Sequence, residues 1–305
     1  MFIVGLTIFI MVVVYKLYKN YIISCNSTTS TEFSKNNVPK IAFIFLTYNK
    51  LKRPDIWNKF FKINNPKLHS KKYTVYNHAK EPEKAREDLI LKGRIISKHI
   101  DTCWGCLNLV EANLLMMKEA LKDPLNMKFI LVSDACVPIV SFDRFYDEIM
   151  KDDKSKMNIF YNNSPERYDS IINPPFTKDK FIKHNGSGLI LNRKHAELLV
   201  ADKKNYIKDW VNVHVPDEHY FGNILNILDP KFNLNNDNIQ ITYDKWSRAK
   251  INNKNIDYNV DIVTDSYINI KAITNKAIDE LRDKKFLFVR KVDGRTKIDV
   301  DYIFS

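Results

Sequence analysis

The chain has 305 residues, 45% of them hydrophobic and 12% aromatic, which is ample for a packed core in one large domain or two small ones. Its 7 Gly and 11 Pro exclude collagen-like or low-complexity character, and its 4 Cys are too few for a disulfide scaffold of this size. The 48 basic and 36 acidic side chains leave a net charge of +12, which suits an anionic ligand or a membrane surface; the lysines are scattered, not clustered, so no nucleic-acid partner is expected.

Phe2 to Tyr15 is almost wholly apolar. Extended to Ile23, with Lys16 and Lys19 reaching back to the interface, the run is long enough to span a bilayer. It has no basic start and no small-residue cleavage site close behind it, so residues 1–23 read as an uncleaved membrane anchor. Lys16, Lys19, Lys35 and Lys40 follow the span, and by the positive-inside rule alone they would keep the bulk cytoplasmic. Residues 24–37 are rich in Ser, Thr and Asn and lack periodicity, as in a flexible stem. One globular domain is expected over residues 38–305.

Ile41 to Thr47 is a continuous apolar run of strand length, the pattern of a strand covered on both faces. Tyr73 to His78, Arg94 to Ile100 and Lys128 to Ser133 are further strand candidates. Between the last two, Leu107, Val110, Leu114, Met117 and Leu121 recur at helical spacing. In the second half, Met157 to Tyr161, Gly188 to Asn192, Ile239 to Tyr243 and Phe286 to Arg290 read as strands, and Arg193 to Val200 and Asn275 to Arg282 as helices. Strands separated by helices predict an α/β layer structure with a mixed, mostly parallel sheet.

Chemistry concentrates at Val213 to Asn223, where two acids and two histidines surround Pro216. Pro216 suits a first helical turn, and Asp217 and Glu218 then fall where the helix dipole favours negative charge. A zinc-peptidase reading needs H-x-x-E-H, which this spacing misses by one residue, and Pro216 breaks the helix such a motif requires. Glu218 as a general base is the better reading. Asp134 follows the Phe129 to Ser133 strand, at the carboxyl end where open α/β sheets bind ligands, but Cys136 occupies the position where a second metal-binding acid would stand. Cys103-Trp104-Gly105-Cys106 has the form of a redox dithiol or half a zinc site, without the partners either needs. Gly186, in Asn185-Gly186-Ser187-Gly188, allows close approach of backbone to a ligand. Arg290-Lys291 offers two cations at a strand end, where they could offset pyrophosphate charge in place of a metal.

Several segments in order resemble the core-2/I-branching β-1,6-N-acetylglucosaminyltransferase family, glycosyltransferase family 14. They are Val38 to Thr47, Trp104-Gly105 with Leu109 to Ala112, Phe129 to Ile139, Pro165 to Tyr168, Gly186-Ser187 with Leu191 to Ala196, Asp217 to Phe221, Tyr243 to Arg248 and Leu287 to Lys291. The resemblance implies a GT-A-like fold and an inverting, metal-independent transfer of a sugar, N-acetylglucosamine first, from a UDP-sugar to a glycan hydroxyl. It implies Glu218 as base, Thr47, His78, Asp134, Arg248 and Lys291 on the donor side, and Arg167, Gly186, Ser187 and Trp246 on the acceptor side. No cofactor beyond the donor substrate and no metal is implied. Members are usually type II Golgi proteins with a lumenal catalytic domain, which conflicts with the charges after the anchor. The family's second phosphate-binding arginine has no counterpart between Asn252 and Ala277. A xylosyl- or glucuronosyltransferase of the same family, or a glycan-binding protein without activity, remains open.

Overall fold

Ile41 to Phe45 are each fully buried because successive side chains leave the strand on opposite faces, and both faces are covered. The computed structural model describes residues 37–305 except 64, 66–68, 162–163, 187, 245–247, 252–253, 258–261 and 265–268, so the anchor and all but the last residue of the stem lie outside the described residues. Among the described residues no helix is long and apolar enough to cross a membrane. Pro39–Ser305 form one compact unit.

The centre of that unit is a six-stranded sheet of β1 (Lys40–Thr47), β2 (Tyr73–Ala79), β3 (Asn126–Ser133), β4 (Ser155–Lys156), β5 (Ile190–Asn192) and β6 (Asn236–Asp237), in the order β2-β1-β3-β5-β4-β6. β1 lies parallel to both β2 and β3, with Phe43 opposite Val75 and Ile130. β5 runs antiparallel to β3 and β4, and β4 pairs with β6 in parallel, so the sheet is mixed and mostly parallel. On one face Phe43 and Phe45 pack against Trp57, Phe60 and Phe61 of helix α1 (Pro54–Phe61). On the other, Ala42 and Ile44 pack with Val110, Met116 and Met117 of helix α2 (Asn108–Ala120). The alternation along one strand thus assigns each helix its layer.

Helix α3 (Phe142–Met150), which the sequence reading passes over along with α1, adds Phe142 and Phe145 to the first layer and is capped by Ser141, which accepts from the Arg144 amide. Helix α4 (Arg193–Val200) has the expected bounds and is capped by Asn192. Arg94 to Ile100, expected as a strand, makes only an isolated bridge between Asn77 and Ile95. Beyond it the Ile100 amide donates to the His78 ring instead of to a strand. The turn at Pro216 also differs from expectation. Pro216–Glu218 form one 3-10 turn, His219 breaks it at φ −136°, and helix α5 (Tyr220–Leu228) starts beyond both acids. The break follows from burial of the His219 ring, whose Nδ1 lies 2.9 Å from the Ile182 carbonyl.

A small sheet of Thr242–Tyr243, Phe288–Val289 and Val137–Pro138, backed by helix α6 (Asn275–Asp283), joins the carboxyl end of β3 to the C-terminal segment. Val292 donates its amide to Ala135, which brings Arg290 and Lys291 beside the loop after β3.

Candidate active site

The carboxyl ends of β1, β2 and β3 place Thr47, His78 and Asp134 along one edge of the sheet. Two of them are engaged in holding that edge. Thr47 accepts from the Asn77 amide group at 3.0 Å, and His78 accepts from Ile100 while stacking on His99 at 5.0 Å. Burial, then the neighbouring His99 ring, lowers the pKa of His78. Asp134 accepts from the Tyr48 amide at 3.2 Å and so fixes the loop that leaves β1. Lys291 reaches this edge from the C-terminal segment. It is half-buried, and burial followed by repulsion from Arg290 lowers its pKa, against attraction to Asp244, Cys136 and Asp134.

Glu218 stands on the 3-10 turn with its side chain one-third exposed. Its Oε2 accepts from Arg167 Nη1 at 3.0 Å and lies 3.6 Å from Lys183 Nζ. The same Arg167 nitrogen is 3.0 Å from His219 Nε2. Since Arg167 only donates, His219 accepts there and donates its Nδ1 proton to Ile182. Burial drives the His219 pKa down to about 3, in keeping with a neutral ring. His214 instead meets Trp104 edge-on at 5.4 Å, so the two histidines serve different neighbours and do not form a metal pair.

Gly186 explains why no larger residue fits its loop. A Cβ there would lie 2.9 Å from Asp217 Oδ2 and 3.3 Å from Glu218 Cγ. Asp217 is mostly buried; its Oδ1 has no hydrogen-bond partner. Burial, reinforced by the negative charge of Glu218, pushes its pKa up to about 6, while a hydrogen bond from its own backbone amide and the charges of Arg290 and Arg167 pull it down. Arg167 and Lys183 contact the neighbouring Glu218.

Of the remaining predicted residues, Ser187 and Trp246 lie outside the described residues. Arg248 begins a hairpin strand, Arg248–Ile251, paired antiparallel with Lys254–Asp257 and separate from the main sheet. Sequence reasoning missed Lys183, which carries no local signal because it reaches Glu218 only through the hairpin of Ile159–Tyr161 and Ile182–His184. It also left Cys103 and Cys106 unpaired, whereas they form a disulfide. That staple holds Gly105 at φ +74°, where its carbonyl accepts from the Val215 amide at 2.9 Å, and so braces the turn bearing both acids.

A partly exposed acid paired with cations is suited to taking a proton from a hydroxyl. Residues 41–271 match the Core-2/I-Branching enzyme family, and the chain belongs to that family. It is similar to Glycosyltransferase BC10 of Oryza sativa subsp. japonica, with 26% identity over 215 residues. That alignment covers 61% of this chain and 53% of the rice protein, so the chain spans about half the length of the curated relative it matches. A solved structure, A197 from STIV, aligns over 52% of this chain and 67% of its own at 13% identity, with a TM-score of 0.25.

Proposed function

We propose that this protein is an inverting, metal-independent glycosyltransferase that moves a sugar, N-acetylglucosamine first, from a UDP-sugar to a hydroxyl of a glycan acceptor. The observation that carries the proposal is the placement of Glu218. It is partly exposed and, among the described residues, held through Oε2 by Arg167 and Lys183, on a turn whose neighbouring Asp217 feels the charge of Arg290. Family membership supports the transferase reading, and the rice relative is a glycosyltransferase by name.

In the proposed reaction an acceptor hydroxyl gives its proton to Glu218 Oε1. Its oxygen forms a bond to the anomeric carbon from the side opposite UDP. The bond from that carbon to the diphosphate oxygen breaks, and its electron pair leaves with UDP. Lys291 and Arg290 offset the charge that develops there, a role a divalent cation would otherwise fill. Thr47, His78, Asp134 and Arg248 belong to the donor side in this reading, and Arg167, Gly186, Ser187 and Trp246 to the acceptor side. Residues 1–23 anchor the protein as a type II membrane protein, with residues 38–305 in the lumen of a Golgi-like compartment. The Cys103–Cys106 disulfide supports an oxidising side of the membrane.

Glu218→Gln tests the assignment. Transfer should fall by roughly 10²- to 10⁴-fold while UDP binding stays within a few-fold of the parent protein. Retained turnover would remove Glu218 from the base role. Release of UDP from a panel of UDP-sugars identifies the donor, xylose and glucuronic acid donors included. Activity unchanged by EDTA is expected, and strict dependence on Mn²⁺ would defeat the metal-independent reading.

A further inference from the structure

Strand β2 comes first in the sheet order β2-β1-β3-β5-β4-β6, so one of its edges has no neighbouring strand. In a parallel ladder the N–H and C=O of one residue point to the same side, and successive residues alternate. The hydrogen bonds at both ends of β2 fix that alternation. The Ile41 amide donates to the Lys72 carbonyl and the Lys80 amide to the Thr47 carbonyl, so the even-numbered residues face β1. Asn77 faces outward, where its amide donates to the Arg94 carbonyl and its carbonyl accepts from the Ile96 amide, both at 2.9 Å. Tyr73 and Val75 share the parity of Asn77. Among the described residues nothing covers them, because Arg94 to Ile96 makes one bridge, between Asn77 and Ile95, and goes no further. A depression of about 290 Å³ lies there instead, lined by Ser70, Tyr73, Thr74, Val75, Tyr76 and Arg94. Two donors and two acceptors are thus presented at ladder spacing, with no proline, lysine or bulge from Tyr73 to Tyr76 to blunt them. Arg94 donates to the Ile90 carbonyl, and among the described residues neither it nor Lys71, beside Ser70, pairs with an acid.

We propose that this open edge of β2 is a docking surface for an extended, acidic segment of a partner protein, which adds to the sheet as a further strand. The surface is separate from the proposed reaction: Tyr73 and Val75 lie in the first half of β2, whereas Thr47, His78 and Asp134 stand at the carboxyl ends of their strands. Main-chain bonds to Tyr73 and Val75 hold the added segment extended and supply its affinity. The cations Arg94 and Lys71 favour acidic side chains on it, and the net charge of +12 adds attraction at longer range. A second copy of β2 fits the edge poorly. Running antiparallel with Tyr73 opposite Val75, it would set its Lys71 against Asn77, where Arg94 to Ile96 already lies.

Residue-resolved hydrogen exchange and peptide binding, both on the full-length chain in detergent micelles, test the proposal. In the free chain the Tyr73 and Val75 amides should exchange roughly tenfold or more faster than those of Thr74 and Tyr76, which face β1. Protection of Tyr73 and Val75 at every protein concentration would mean that another part of this chain covers the edge. Protection that grows with concentration would mean that a second copy does, and either result would overturn the proposal. The probe is the synthetic peptide acetyl-Val-Glu-Val-Glu-Val-Glu-amide, compared with its lysine-for-glutamate version and with a version N-methylated at every amide. The acidic peptide should half-saturate below roughly 1 mM and slow exchange at Tyr73 and Val75. The lysine version lacks the charge and the methylated one lacks the donors, so each should bind roughly tenfold or more weakly. No binding of the acidic peptide, or equal binding of either control, would defeat the idea. Val75→Pro removes one outward N–H and leaves the ladder to β1 intact, so it should weaken the acidic peptide by roughly fivefold or more. Arg94→Glu, which leaves the strand untouched, should invert the preference between acidic and basic peptides. An unchanged preference there would assign binding to the overall charge of the chain and remove β2 from it.

Discussion

Asp217 is held mostly buried beside another acid, and its effect on stability has a definite sign. Burial and Glu218 raise its pKa to about 6 from an unfolded value of 3.8. The folded state therefore binds the extra proton more readily, so the stabilisation this group provides is complete below pH 3.8 and lost as the pH rises through about 6. At neutral pH the folded protein bears a poorly solvated carboxylate. Asp217→Asn should accordingly stabilise the chain by about 1–2 kcal/mol at pH 7.5, roughly 2–4 °C in Tm per kcal/mol for a domain of this size, with the gain vanishing towards pH 4. Thermal scans at the two pH values check it. Gly186 is the complementary case. A methyl group there must displace Asp217 Oδ2 from 2.9 Å and crowd Glu218, so Gly186→Ala should cost about 1–3 kcal/mol and more than tenfold in turnover. Steady-state kinetics with a urea melt separates the two effects.

Among the elements, the far end of the sheet stores a different electrostatic cost. Lys128 on β3 and Lys156 on β4 are almost fully buried and face Asp152 and Asp237. Lys128 donates to the Lys154 carbonyl at 2.7 Å, and burial, outweighing the pull of Asp152 and Asp153, lowers its pKa from 10.5 to about 8. Between those values the unfolded chain holds the proton more tightly, so stability from this group rises with pH across about 8 to 10.5 and is lost below. The slope is at most about 1.4 kcal/mol per pH unit. Lys128→Met should flatten it, read as the difference between parent and variant urea melts at pH 8, 9 and 10. Elements of this kind show how far the sequence could be read. β1 and β3 were legible because both their faces are covered, which leaves a continuous apolar signature, and α4 because Asn192 caps it. The segment from Arg94 to Ile100 looked like a strand by residue type, but it makes one bridge, to Asn77, and then turns its Ile100 amide to the His78 ring, which no local pattern encodes. At the site, Glu218 and Lys291 could be picked out from motif and charge. Lys183 and the bracing of Val215 by Gly105 depend on contacts distant in the chain, and the late start of α5 depends on where the His219 ring is buried.

At the scale of the whole molecule the charge balance of the site and that of the chain differ, and the difference can be measured. Around the proposed cleft the cations Arg167, Lys183, Arg290 and Lys291 are matched by the acids Asp134, Asp217, Glu218 and Asp244, whereas the chain as a whole carries +12. In the proposed reaction, net attraction for a nucleotide diphosphate would therefore come from the excess spread over the surface, and the local cations would supply direct contacts. The two respond differently to salt. Raising ionic strength from roughly 0.1 M to roughly 1 M shortens the screening length from about 10 Å to about 3 Å, which removes the distant contribution and leaves short, partly buried contacts largely intact. The expected result is a KM for the UDP-sugar that rises roughly three- to tenfold with kcat changed less than twofold, and Lys291→Met should raise KM at both ionic strengths without altering the ratio between them. A KM indifferent to salt would mean that donor capture depends on the local cations alone, and that the basic surplus of this chain serves something other than its donor.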